Sequence, residues 1–134
     1  MDRAKVVHLD THVIIWLYEG RIERLGKAAR RAIESSSPVA SPAAVLELEF
    51  LHEIGRLKPS ATKVMTSLAA EIGLQICDMT FRTVVDRALH ETWCAKHGGR
   101  DPFDRLIVAN AKAASAPLAT KDRHILDNYA RAIW

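Results

Sequence analysis

The chain has 134 residues, 49% of them apolar and 26% charged, with a net charge of +3, which fits one compact domain and excludes both a disordered polymer and a multidomain enzyme. Its longest N-terminal apolar run, Val13 to Tyr18, is far shorter than a membrane span or a signal sequence, so a cytoplasmic protein with no membrane association is expected. The two cysteines, Cys77 and Cys94, are too far apart for a CxxC motif, and the six histidines lack ligand spacing, so reduced thiols and no zinc site are expected.

Lys5 to Leu9, KVVHL, is short, β-branched and apolar, and it predicts a buried strand that ends at Asp10-Thr11. Ligands gather beyond the carboxyl ends of strands in open α/β sheets, so Asp10 stands where chemistry is usually placed, while it can also cap a helix over His12 to Tyr18. After Gly20, Lys27 to Ser35 reads as a charged helix closed by a turn at SSSP, positions 35 to 38. Arg21, Arg24, Lys27, Arg30 and Arg31 make this the most basic region, a solvated surface or a rim for phosphate contact.

Val39-Ala40 is a brief strand, and Ser41-Pro42 then opens a helix running to about Ile54, stopped by Gly55. On its wheel Ala44, Leu46, Leu48, Phe50, Leu51 and Ile54 form one broad apolar sector, and Glu47 is the charge inside it. An uncompensated carboxylate there costs several kcal/mol, so Glu47 needs a donor, a cation such as Arg56, or a metal.

Ser60 to Ile72 reads as a helix with Val64, Leu68, Ala69 and Ile72 toward the core, followed by a strand at Leu74 to Cys77. Thr80 opens a further helix to about His90, with Val84, Val85, Ala88 and Leu89 at helical spacing. The run from Trp93 leads through Gly98-Gly99 into RDPFDRLIVANAKAA, in which Asp101 and Pro102 are a capping residue and a first helical residue. This helix is apolar around most of its circumference, yet it carries Asp104 into or beside that surface, either as part of a capping arrangement or as a functional acid. Leu118-Ala119 is a strand fragment, Asp122 caps a helix over Arg123 to Asn128, and Ala130 to Trp134 closes the chain as an edge strand.

Strands alternating with helices predict an α/β fold, a mainly parallel sheet of about four to five short strands covered on both faces. Acids recur where strands give way to helices: Asp10, Asp104 and Asp122, with Glu47 as a buried charge. Converging carboxylates raise one another's pKa, so such a cluster calls for a hard cation, Mg²⁺ or Mn²⁺.

LDTH with Asp10, SPAAVLELEFLHEIGRL with Glu47, RDPFDRLIVANA with Asp101 and Asp104, and LATKDRHI with Asp122 stand in an order that resembles the PIN domain family, and within it the small VapC-type ribonuclease toxins. The resemblance spans essentially the whole chain, as one domain over residues 1–134. It implies that Asp10, Glu47, Asp104 and Asp122 form the acidic quartet that binds Mg²⁺ or Mn²⁺, with Asp101 as an accessory acid. Thr11 and Thr120 match hydroxyl positions beside the metal site, and Arg105 and Lys121 are the adjoining cations that would contact substrate. It further implies hydrolysis of RNA, a homodimer and a VapB-type antitoxin.

The chemistry expected is metal-assisted hydrolysis of an RNA phosphodiester, with no histidine as general base. A nuclease for structured DNA would need an insertion to clamp its substrate, and the chain is too short for one. An aspartyl phosphatase would need a second acid two residues after Asp10, where His12 stands. A binding module without catalysis is the alternative from another class, and it would tolerate Asp104→Asn.

Overall fold

The computed structural model describes residues 5–96 and 101–134. Gly98, Gly99 and Arg100, expected to form the approach to the long acidic helix, lie outside the described residues. Strands β1 (Val6–Leu9), β2 (Ser37–Ala40), β3 (Gln75–Ile76), β4 (Leu118–Ala119) and β5 (Ala132–Ile133) form a five-stranded sheet in the order β3-β2-β1-β4-β5. Every neighbouring pair is parallel. The chain winds outward from β1 to β2 and β3 on one side, then returns to β4 and β5 on the other.

Helices α1 (Thr11–Tyr18), α2 (Lys27–Ser35), α3 (Pro42–Glu53), α4 (Ala61–Ile72), α5 (Phe81–Ala88), α6 (Trp93–Lys96), α7 (Pro102–Ala113) and α8 (Arg123–Asn128) supply the crossovers and flank the sheet. Their starts follow local chemistry. Ser41, Ser60 and Thr80 accept backbone N–H bonds with their hydroxyls, and Asp10, Asp101 and Asp122 do so with their carboxylates. Gly73 ends α4 with φ of 71°, a left-handed conformation that an L side chain resists. Val7 and Leu9 of β1, Val13 and Ile14 of α1, Ala44 and Leu48 of α3, Val64 and Leu68 of α4, and Ile107, Val108 and Ala111 of α7 meet in one core. Among the described residues no helix is long and apolar enough to cross a membrane.

Several sequence expectations are corrected. Ser37 and Pro38 belong to β2, not to a turn. Ser37 N donates to Lys5 O at 2.6 Å, so the nitrogen of Pro38 faces the other edge, toward β3. Pairing with β3 begins only at Val39, opposite Gln75, and the missing N–H of Pro38 therefore forfeits no ladder bond. The apolar sector of α3 is divided: Ala44, Glu47 and Leu48 are buried, while Leu46, Phe50 and Ile54 are exposed. Ala69, expected toward the core, is exposed as well. The α3 error arises because periodicity identifies a face but not the element that covers it.

Candidate active site

The register pairs Leu9 with Ala119, so Asp10 and Thr120 leave the sheet side by side at the carboxyl ends of β1 and β4. Strand order reverses between these two strands, and a crevice opens at such a point because the flanking connections diverge. Thr120 Oγ1 donates to Asp10 Oδ2 at 2.6 Å and accepts from Asp122 N at 3.0 Å. Thr11 N donates to Asp10 Oδ1 at 2.8 Å, and the Thr11 hydroxyl donates to Glu47 Oε1 at 2.5 Å. Two buried threonines thus tie β1, β4 and α3 together through carboxylates. The donor that satisfies Glu47 is Thr11, a role for which the sequence offered Arg56.

The remaining acids arrive on helix starts. Asp101 caps α7 by accepting from Phe103 N at 2.8 Å, and Asp104 lies in the same first turn. Asp122 Oδ1 caps α8, accepting from His124 N at 2.8 Å and Ile125 N at 3.2 Å. Asp10, Glu47, Asp101, Asp104 and Asp122 line one cleft of about 280 Å³ together with His12, Trp16 and Lys121. The N-terminus of α7 points its partial positive charge at this cleft and offsets part of the repulsion.

That repulsion is large. Asp104 is pushed up to about 8, first by burial and then by the charges of Asp10, Asp101, Glu47 and Asp122. Burial also raises Asp10, against the lowering effect of bonds from Thr120 and Thr11, and it raises Glu47 against the bond from Thr11. The His12 ring lowers both Asp10 and Glu47 electrostatically. Asp104, raised to about 8, holds a proton at neutral pH unless a cation replaces it.

The donor set fits a hard divalent cation. Glu47, Asp101 and Asp104 each present a carboxylate oxygen, and these oxygens all lie within 4.8 Å of one another. Oxygens bound about 2.1 Å from a six-coordinate Mg²⁺ are separated by roughly 3 to 4.2 Å, so small side-chain rotations would close the set. Among the described residues this trio is the group that can share one ion, which moves Asp101 from the margin of the expected set to its centre. Asp10 and Asp122 line the same cleft beside this trio.

All four expected acids, with Asp101, Thr11 and Thr120, therefore meet in one place. Lys121 also reaches the cleft, whereas Arg105 Nε donates to Ala88 O at 2.8 Å and does not line it. In the basic segment, Arg21 pairs with Glu19 at 3.4 Å and Arg30 with Glu34 at 3.2 Å, both in solvent. Sequence reasoning passed over His12 and Trp16. The available signal was their separation of four residues on the helix that follows Asp10, which places them on one face.

Comparison with curated protein sequences returns no match. Solved structures of similar fold include VapBC2 from Rickettsia felis bound to a DNA fragment from its promoter, with a TM-score of 0.67 at 16% identity over 96% of both chains. DNA-bound VapBC from Salmonella typhimurium gives 0.64 at 15% identity over 97% of this chain and 96% of the other. VapBC-1 from nontypeable Haemophilus influenzae gives 0.62 at 17% over 96% of both chains. Residues 7–132 match the model of the PIN domain, and with its acids gathered at the strand-order reversal the chain belongs to the PIN domain family.

Proposed function

We propose that the chain is a Mg²⁺- or Mn²⁺-dependent endoribonuclease, the toxin of a toxin–antitoxin pair acting in the cytoplasm. The observation that carries this reading is the trio Glu47, Asp101 and Asp104, with oxygens within 4.8 Å of one another and Asp104 raised to about 8. A divalent cation held there would supply acidification of a water molecule and compensation of charge on the phosphate. The protein's own residues have separate tasks. Glu47, Asp101 and Asp104 hold the ion, with Asp122 completing the acidic wall. Asp10, fastened by Thr11 N and the Thr120 hydroxyl at the ends of β1 and β4, offers its carboxylate to the same cleft as a further ligand. Burial by the surrounding helices keeps the site in a low-dielectric setting, where each charge interacts more strongly than in water.

Support for the partner comes from the folds that resemble this one, which are solved as VapBC assemblies. A VapB-type antitoxin is therefore the proposed partner. The proposed homodimer is supported by an apolar groove of about 470 Å³ between α3, α5 and α7, lined by Leu46, Phe81, Phe103 and Leu106. Phe81 is 72% exposed and Leu46 62% exposed, which is costly for side chains left in water. Light scattering of the parent and of Leu46→Glu reads this directly: a dimer that becomes monomeric supports it.

The deciding experiment is cleavage of purified total RNA by the parent and by Asp104→Asn, each with Mg²⁺, Mn²⁺ or EDTA. Metal-dependent cutting that vanishes in the variant is expected, and mapped ends would identify the target. Absence of cutting with equal RNA or partner binding by both proteins would replace this reading with that of a binding module.

A further inference from the structure

The acidic cleft has one wall that is not acidic. His12, Trp16 and Lys121 line it beside the carboxylates. The rings of His12 and Trp16, one turn apart on α1, are 6.1 Å apart with a 51° tilt. Behind Trp16 stands a second indole, Trp134, with centroids 5.8 Å apart and planes at 58°. Trp134 is held in turn by Ala28 N, which donates to its carbonyl at 3.3 Å, and by Gly26, where a Cβ would lie 2.4 Å from its carbonyl carbon. The Trp16 ring is thus braced from behind and partly open at the cleft. Lys121 Nζ rests 6.0 Å from the Trp16 centroid, at the outer limit of a cation–π contact and so only weakly held.

We propose that Trp16 and Lys121 form a nucleotide subsite in which an unpaired base stacks on the Trp16 indole and an adjoining phosphate takes Lys121. The subsite rests on the nuclease reading given above and deepens it. A cleft walled by carboxylates repels a nucleic acid backbone, and a stacking surface with one cation at its edge offsets this where the strand enters. Only an unpaired base can offer its face, and every base has one, so the subsite selects single strands without reading sequence. A protein segment is a weaker candidate for this lip. One carrying a cation toward the carboxylates would approach Lys121 with like charge.

The test uses the full chain carrying Asp104→Asn, so that RNA is bound without being cut, and a fluorescein-labelled oligouridine as the probe. Trp16→Leu is expected to weaken binding from about 5-fold to about 100-fold, the loss that follows removal of one stacking ring. Trp16→Phe should retain most of the affinity, and Lys121→Gln should lower the salt dependence by about one phosphate contact. Oligouridine should also quench tryptophan emission in the parent, and Trp16→Phe should diminish that quench. In the cutting-competent chain, Trp16→Leu should reduce the preference for single-stranded over duplex RNA. If the parent cuts RNA with metal while Trp16→Leu keeps its thermal midpoint, affinity and preference, the subsite is wrong and the nuclease reading stands. A quench undiminished in Trp16→Phe also overturns the subsite, and it does so even if Trp16→Leu fails to fold. If the parent neither cuts nor binds RNA, the nuclease reading fails and takes the subsite with it.

Discussion

Thr120 donates its hydroxyl to Asp10 across 110 positions of sequence, at 2.6 Å. Asp10 is 6% exposed and Thr120 is fully buried, so the bond is largely screened from water. Thr120→Val keeps the shape and removes the donor, leaving a buried carboxylate oxygen without it. A loss of about 1–3 kcal/mol is expected in urea unfolding, together with a marked fall in cleavage, while Thr120→Ser should preserve both.

Through Asp104, metal-free protein should lose stability as pH rises from about 4 to about 8, a trend that His8 opposes below about pH 6.5. Folded Asp104 is raised from 3.8 to about 8 and keeps its proton where the unfolded chain has lost it. The unfolded state then binds fewer protons, so the unfolding free energy falls with pH, by an amount on the order of a few kcal/mol. Added Mn²⁺ should raise the thermal midpoint increasingly toward pH 8, and Asp104→Asn should raise the metal-free midpoint while shrinking the Mn²⁺ effect. A metal-free midpoint that is flat from pH 6.5 to pH 8 would contradict the clustering of charge.

His8 produces the opposite trend at lower pH. Its ring is 2% exposed in β1, its Nδ1 is buried without a partner, and burial lowers it from 6.5 to about 4. Between these values the unfolded chain binds the extra proton, so stability is present above pH 6.5 and is lost as pH falls toward 4. The shift corresponds to about 3 kcal/mol at most. His8→Leu should flatten the acid limb of a urea midpoint series taken at pH 7, 6 and 5.

Behind the cleft, Glu91 is 2% exposed and accepts from Lys112 Nζ at 2.9 Å and from Trp93 Nε1 at 2.5 Å. Lys112 also donates to Asn128 O at 3.2 Å, and Trp93 borders a small cavity shared with Asp101, Asp104 and Asp122. Lys112→Met would leave the buried Glu91 carboxylate with Trp93 Nε1 and with Arg87 Nε at 3.7 Å, and should cost about 1–3 kcal/mol. Combining it with Glu91→Leu should cost less than the sum of the single changes, which a double-mutant cycle in urea measures.

Gly26 has an ordinary φ of −67°, so its need is for space and not for backbone freedom. Gly26→Ala places a methyl group 2.4 Å from the Trp134 backbone, which must move. Lower stability is expected, with a change in tryptophan emission as Trp134 shifts against Trp16. Unaltered emission would mean that this contact does not hold the two indoles together.

Helix starts were legible in the sequence because capping is local. Ser41-Pro42, Ser60, Thr80, Asp101-Pro102 and Asp122 open helices for reasons contained within three residues. Strand β1 was legible too, from its short β-branched run, and it lies at the centre of five parallel strands. The candidate acids were recognisable because a charge in an apolar sector, or at a strand end, demands compensation.

Which charge compensates which was settled only by tertiary structure. Register between β1 and β4 brings Thr120 to Asp10, and packing of α3 against α1 brings Thr11 to Glu47. The grouping of Glu47 with Asp101 and Asp104, the exposure of Leu46 and Phe50 on a helix whose other face is buried, and the place of Trp16 beside the acids all depend on non-local neighbours. The sequence by itself determined the elements and the kinds of side chain that need partners, because propensity, capping and burial patterns act over a few residues. Only the tertiary structure decided the partners, because hydrogen bonds and charge interactions depend on distances that chain separation does not specify.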